Sequence, residues 1–232
     1  MIVKMEALNN IGRLIDLSAV RTNVDEKEIK LLAETAKKHK CIAVYVMPCF
    51  VPEIKSLLWD EPDILIGGAV GFPSGADSTS IKVAQAKEQI QEGCQELDMV
   101  INVGKLLSKR YSYVEEEIKT VVDIAGGLQV KVILEVAYLT DDEIKKGCEL
   151  SINGGAKFVK TGTGWADRPT TINHIKLIKS FVGDSIKIKA AGGIRSLDTL
   201  IKMKNLGVSR FGIGLKSAQK IFEEYIAFNK SR

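Results

Sequence analysis

Four consecutive apolar runs carry charged residues at alternate positions, where a strand buried on both faces normally has only aliphatic side chains. In Glu96-Leu97-Asp98-Met99-Val100-Ile101-Asn102 the odd positions are apolar, while Glu96, Asp98 and Asn102 alternate onto the opposite face. The same parity puts Lys131 and Glu135 on that face of run 130–136, Lys160 near the end of run 156–161, and Lys187 with Lys189 on run 185–190. A buried charge persists only when it is paired or shifted in pKa. An amine, in turn, is a nucleophile at neutral pH only when deprotonated, and the usual device is desolvation with a second cation nearby. Lys160 and Lys189 meet that requirement: one would attack a carbonyl to give a Schiff base, the other would lower its pKa, and Asp98 would move protons. Parity leaves open which lysine attacks. A self-neutralising plug of lysines and carboxylates is the competing reading, although a plug has no need of lysines on neighbouring strands near one end.

The elements that must hold these residues follow from periodicity. Eight β-branched runs, at 14–18, 41–47, 64–71, 96–102, 130–136, 156–161, 185–190 and 209–213, alternate with stretches of helical period at 25–40, 79–92, 112–125, 141–153, 171–181, 196–206 and 217–228. Asp25, Thr140 and Ser196 stand at N-cap positions, and Gly93, Gly154 and Gly207 where helices should end. This order predicts a single (β/α)₈ TIM barrel over residues 1–232, with the alternating charged face as its lumen. An open doubly wound sheet is the alternative, weakened by the lack of a Gly-x-Gly-x-x-Gly turn after the first strand.

Glycine-rich segments follow the last two runs, Ala190-Ala191-Gly192-Gly193-Ile194-Arg195 and Phe211-Gly212-Ile213-Gly214, each just before a helix. Backbone N–H groups and a helix N-terminus there suit an anion, and the corresponding barrel loops often hold phosphate. A tight turn would also explain the glycines. Gly71-Phe72-Pro73-Ser74-Gly75 lacks the Gly-Lys-Ser/Thr ending of a nucleotide loop.

The 232 residues, 45% hydrophobic and 27% charged with net charge +4, exclude a disordered or fibrous chain. No clustered basic face points to nucleic acid, and no stretch approaches a membrane span. The N-terminus carries no apolar signal core, so a cytoplasmic protein is expected. Cys41, Cys49, Cys94 and Cys148 lack metal-type pairing and are expected to be reduced, and His39 and His174 are too few for a histidine-based metal site or triad. No cofactor and no metal are expected.

Together, Ile15-Asp16-Leu17-Ser18, the 71–75 turn, the 96–104 segment, Lys131-Val132-Ile133-Leu134-Glu135, Lys160-Thr161-Gly162-Thr163-Gly164 and Lys189-Ala190-Ala191-Gly192-Gly193-Ile194-Arg195 resemble the deoxyribose-phosphate aldolase family of class I aldolases. The resemblance runs in family order over nearly the whole chain. It implies reversible cleavage of 2-deoxy-D-ribose 5-phosphate to D-glyceraldehyde 3-phosphate and acetaldehyde. By position it makes Lys160 the Schiff-base lysine, Lys189 its perturbing neighbour, Asp98 the proton relay, and Lys131 a further lysine of that relay. Asp16, Thr163, Gly164, Gly192, Gly193, Arg195, Gly212 and Gly214 become substrate and phosphate residues, and a homo-oligomer, dimer or tetramer, is implied. The chain departs from the pattern in four places. Glycine and aliphatic residues replace the usual serines after strand eight, with Lys216-Ser217 displaced onward, and Gly162 replaces a common serine. Tyr45 or Met47 takes the place of a small polar residue on strand two, and the tail lacks the tyrosine of some relatives. These departures leave room for an aldolase of another sugar or aldehyde, or for a non-catalytic sugar-phosphate binder.

Overall fold

The computed structural model describes residues 10–230. Eight parallel strands close on themselves in sequence order: β1 (Ile15–Ala19), β2 (Ala43–Val46), β3 (Leu65–Val70), β4 (Glu96–Val100), β5 (Gln129–Ile133), β6 (Phe158–Lys160), β7 (Lys187–Ala191) and β8 (Val208–Gly214). Closure rules out the open sheet and gives the (β/α)₈ barrel. The outer layer is made by α1 (Glu26–His39), α2 (Val51–Leu57), α3 (Thr79–Glu92), α4 (Val103–Leu107), α5 (Tyr111–Ile124), α6 (Asp141–Asn153), α7 (Ile172–Val182), α8 (Leu197–Asn205) and α9 (Leu215–Lys230).

The helices start where side chains can satisfy free N–H groups. Asp25 accepts from Glu28 and Ser196 from Thr199, while Thr140 and Glu143 cap each other reciprocally. At the other ends Gly93 (φ +105°) and Gly207 (φ +100°) take left-handed conformations. Gly154 stays right-handed, and the reversal falls one residue later on Gly155 (φ +81°). Helices α2 and α4 were absent from the periodic reading because seven and five residues are too short to show a period.

The apolar core lies between strands and helices, where Leu17, Leu97, Met99, Val132, Val159 and Ile188 are fully or almost fully buried against residues such as Leu32, Ile118, Ile144, Ile178 and Leu200. Every second strand residue therefore faces inward, and register decides which inward residues stand side by side. Asp98 pairs with Lys131, and Lys160 with Lys189. A register shift beyond Ile188, which pairs with Val208, sets Lys189 against Arg210. Asn102 is not in the lumen: the strand has ended at Val100, and the Asn102 side chain instead caps α4 by accepting from Lys105. Lys187 keeps the inward parity but lies exposed at the far end of β7, beside the Phe158 ring. All four cysteines are free, and Cys41, Cys94 and Cys148 are buried. Among the described residues no helix is long and apolar enough to cross a membrane.

Candidate active site

The lumen holds Lys131, Lys160, Lys189 and Arg210 in ion pairs with Asp16, Glu96 and Asp98, and Glu135 faces Lys160 from beyond the end of β5. Lys160 Nζ donates to Asp98 Oδ2 at 2.7 Å, and Lys189 Nζ donates to the same oxygen at 2.6 Å. Asp16 bridges Lys189, at 2.5 Å, and Arg210, whose Nε donates to it at 2.6 Å. Arg210 also reaches Glu96 at 2.8 Å. Below them Lys131 lies 2.8 Å from Glu96 and 3.6 Å from Asp98, and it donates to the Tyr45 hydroxyl, which donates to Glu96. Asp98 Oδ1 has no hydrogen-bond partner within the protein.

The two neighbouring lysines differ in protonation. For Lys189 burial opposes the charge, but Asp16, Asp98 and Glu96 outweigh it and raise the pKa above 10.5. For Lys160 burial dominates, the adjacent Lys189 ammonium reinforces it against Asp98, and the pKa falls to about 8. Asp98 is pulled well below the usual carboxylate range despite burial, chiefly by Lys160 and Lys189. Lys160 is also the reachable lysine, 8% exposed where Lys131 is 0% and Lys189 1%.

Lys160 opens into a cavity of about 350 Å³ at the C-terminal end of the barrel. Its floor is Tyr45, Asp98, Lys160 and Lys189, and its walls include Thr163, Gly164, Gly192, Gly193, Arg195, Gly212 and Gly214. These glycines keep the wall low. A Cβ on Gly212 would come within 2.9 Å of Ala191 and 3.4 Å of the Lys189 Cε. Lys216 and Ser217, at the start of α9, line the same cavity, as does Arg21. Trp165 crosses the mouth: its indole N–H donates to the Val20 carbonyl at 2.9 Å, and its ring meets Phe72 edge-on at 6.1 Å.

The cavity brings together all of the expected site residues except Lys131, which lies buried beneath it, and two of them need refinement. Asp16 borders the cavity but is engaged by Lys189 and Arg210, so it belongs to the charge network rather than to the glycine loops. Thr163 spends its hydroxyl and N–H on the Glu135 carboxylate, holding the ends of β5 and β6 together. Burial raises the Glu135 pKa, with the Thr163 hydrogen bonds opposing. Two participants were not singled out, Arg210 and the central position of Tyr45. Parity along Val208-Ser209-Arg210-Phe211-Gly212 would have marked Arg210 as inward, whereas nothing in the sequence told Tyr45 from Met47. Among the described residues no group of three or more His, Cys, Asp or Glu side chains is arranged to hold a metal ion.

Comparison with known proteins agrees with this geometry. Residues 11–223 match the DeoC/LacD family aldolase. A deoxyribose-phosphate aldolase from Sinorhizobium medicae is 45% identical over 226 residues, covering 97% of this chain and 91% of the relative. A solved structure described as QR15, an aldolase, superposes with a TM-score of 0.88 at 38% identity, covering 94% of this chain and 96% of that one. A tetrameric deoxyribose phosphate aldolase from Aeropyrum pernix gives 0.85 at 25% identity, with 94% and 92% covered. The chain belongs to the DeoC/LacD aldolase family.

Proposed function

We propose that this protein is a class I aldolase that reversibly cleaves 2-deoxy-D-ribose 5-phosphate to D-glyceraldehyde 3-phosphate and acetaldehyde, with residues 1–232 acting as one domain. The observation that carries the reading is a pair of lysines on one carboxylate oxygen, of which Lys160 alone is both near neutrality and open to the cavity.

In the cleavage direction the neutral Lys160 amine adds to the C1 aldehyde, and loss of water from the carbinolamine leaves a protonated Schiff base. A proton leaves the C3 hydroxyl, the C2–C3 bond breaks, and its electron pair moves onto the iminium to give an enamine. D-Glyceraldehyde 3-phosphate departs. Protonation at C2 and hydrolysis then release acetaldehyde and return the amine. Asp98, whose Oδ1 accepts no hydrogen bond within the protein, is the carboxylate placed to carry these protons. Lys189 keeps its charge and supplies the repulsion that frees Lys160, and Lys131 holds Asp98 from below.

For the phosphate, Gly164, Gly192, Gly193, Gly212 and Gly214 offer backbone approach, and Arg195 and Lys216 supply counter-charge where serine hydroxyls are missing. The curated relative's name supports this substrate, and the tetrameric neighbour supports a homo-oligomer; a dimer or tetramer working in the cytoplasm is the reading of the sequence. The test is acetaldehyde release from deoxyribose 5-phosphate and from unphosphorylated deoxyribose. Release from the phosphate ester with strong preference over the free sugar is expected; equal rates would move the assignment to another substrate.

A further inference from the structure

Tyr45 stands between the cavity and the lowest charged layer of the lumen. Its ring borders the cavity, while its hydroxyl accepts from Lys131 and donates to Glu96, both at 2.8 Å. Lys131 does not border the cavity and is fully buried, although it lies only 3.6 Å from Asp98. The ring centroid is 4.0 Å from Lys189 Nζ and 5.9 Å from Lys160 Nζ, while Lys131 Nζ sits at the hydroxyl end, 5.4 Å from the centroid, so the ring fills the space among the three amines. Space for the ring is provided by its register partner Gly67, where a Cβ would lie 2.1 Å from the Tyr45 Cζ. A tyrosine fitted into a glycine-made slot among lysines is a built arrangement.

We propose that Tyr45 is a positioning residue of the reaction, a water-excluding floor that keeps the Lys160 amine desolvated and the Lys131–Glu96 layer dry. This rests on the aldolase reading above. A water reaching the lumen from below would find polar partners on Lys131, Glu96 and Asp98, the conditions under which buried water persists. It would also solvate the Lys160 ammonium and restore its proton, because burial is the largest effect lowering that group. The groups facing Lys160 are Asp98 from β4, Lys189 from β7, Asp16 from β1 and Glu135 at the end of β5. None of them is altered by replacing Tyr45, so a shift in the Lys160 titration reports the floor.

The experiment is competitive acetylation with acetic anhydride from pH 6 to 11, read as the labelling midpoint of the Lys160 peptide, beside the pH profile of kcat/KM for deoxyribose 5-phosphate. Tyr45→Phe keeps the floor, and its midpoint should stay at the parent value. Tyr45→Ser opens the floor, and both the midpoint and the rising limb of activity should move up by about one pH unit, a loss of roughly tenfold at pH 7. Tyr45→Val, smaller but apolar, should move in the same direction and serves if the serine variant does not fold. Midpoints unchanged in both small variants, with turnover lowered equally at every pH, would overturn the proposal, as would a Tyr45→Phe shift as large as that of Tyr45→Ser. The labelling needs no turnover. A parent whose Lys160 midpoint lies near 8 but which fails to cleave the sugar phosphate therefore refutes the substrate assignment and not the floor, whereas a parent midpoint near 10.5 refutes the floor.

Discussion

Two places in this barrel bury lysines, and they do opposite things with them. Between α3 and α5, Lys82 is fully buried, 2.7 Å from Glu117, and donates to the Val100 carbonyl at 2.9 Å. Burial lowers its pKa, with Glu117 and Asp77 opposing, yet it is paired with a carboxylate that it shares with no other amine and borders no cavity of the site. In the lumen, Lys160 shares one oxygen of Asp98 with a second lysine and opens onto the cavity. The difference teaches that burial does not by itself make an amine a nucleophile. A second ammonium on the same carboxylate oxygen, together with access, does so, and a direct ion pair without a competing cation makes a structural tie.

The largest effect expected from this contrast is at Lys160. Lys160→Met should reduce turnover to background while the protein still melts cooperatively near the parent temperature, since Asp98 keeps Lys189 and Lys131 as partners. Steady-state kinetics with a thermal melt checks both halves. Asp98→Asn should lower kcat by about 10²- to 10⁴-fold, the usual worth of a positioned acid–base group, with a smaller change in KM.

Lys82→Met should do the reverse. Stranding Glu117 in the helix layer should cost about 3–5 kcal/mol of stability in denaturant titration and leave kcat unchanged. Adding Glu117→Leu should return most of that loss, because an apolar pair of similar volume is often no worse than a buried ion pair. A Lys82 variant with normal stability and impaired turnover would erase the contrast.

The pH dependence sharpens it further. Protonated Lys160 is inert, so with a pKa of about 8 kcat/KM should climb tenfold per unit below pH 8 and level off above it, until another group titrates. The stability sign follows from the same shift. The folded pKa lies below the ordinary 10.5, so the unfolded chain binds more protons between about pH 8 and 10.5, and this group makes the fold more stable as pH rises through that window. The smallest expected effect is at the mouth. Trp165→Phe loses the hydrogen bond to Val20 but keeps a ring near Phe72, and should change KM by less than about tenfold with little change in kcat.

Much of this was legible in the sequence, and the parts that were not share a cause. Strand parity placed Asp98, Lys131, Lys160 and Lys189 on one face because a two-residue period survives any uncertainty about strand ends. It failed at Asn102, which parity assigns to the lumen although the strand stops at Val100 and the chain turns into α4. Which lysine attacks was not readable from the strands themselves, because it depends on Asp16 and Arg210 arriving from β1 and β8. The Asp16–Arg210 contact joins residues 194 positions apart. The seat of Tyr45 was hidden for the same reason: it depends on the absence of a side chain at Gly67 on the next strand.

The central claim is that the lumen frees one particular amine, and borohydride trapping with acetaldehyde followed by peptide mapping tests it most directly. The account predicts a single reduced adduct on Lys160, formed faster as pH rises toward 8, with Lys189, Lys131 and Lys82 unmodified. An adduct on Lys189 or Lys82, or none on any lysine, would contradict it.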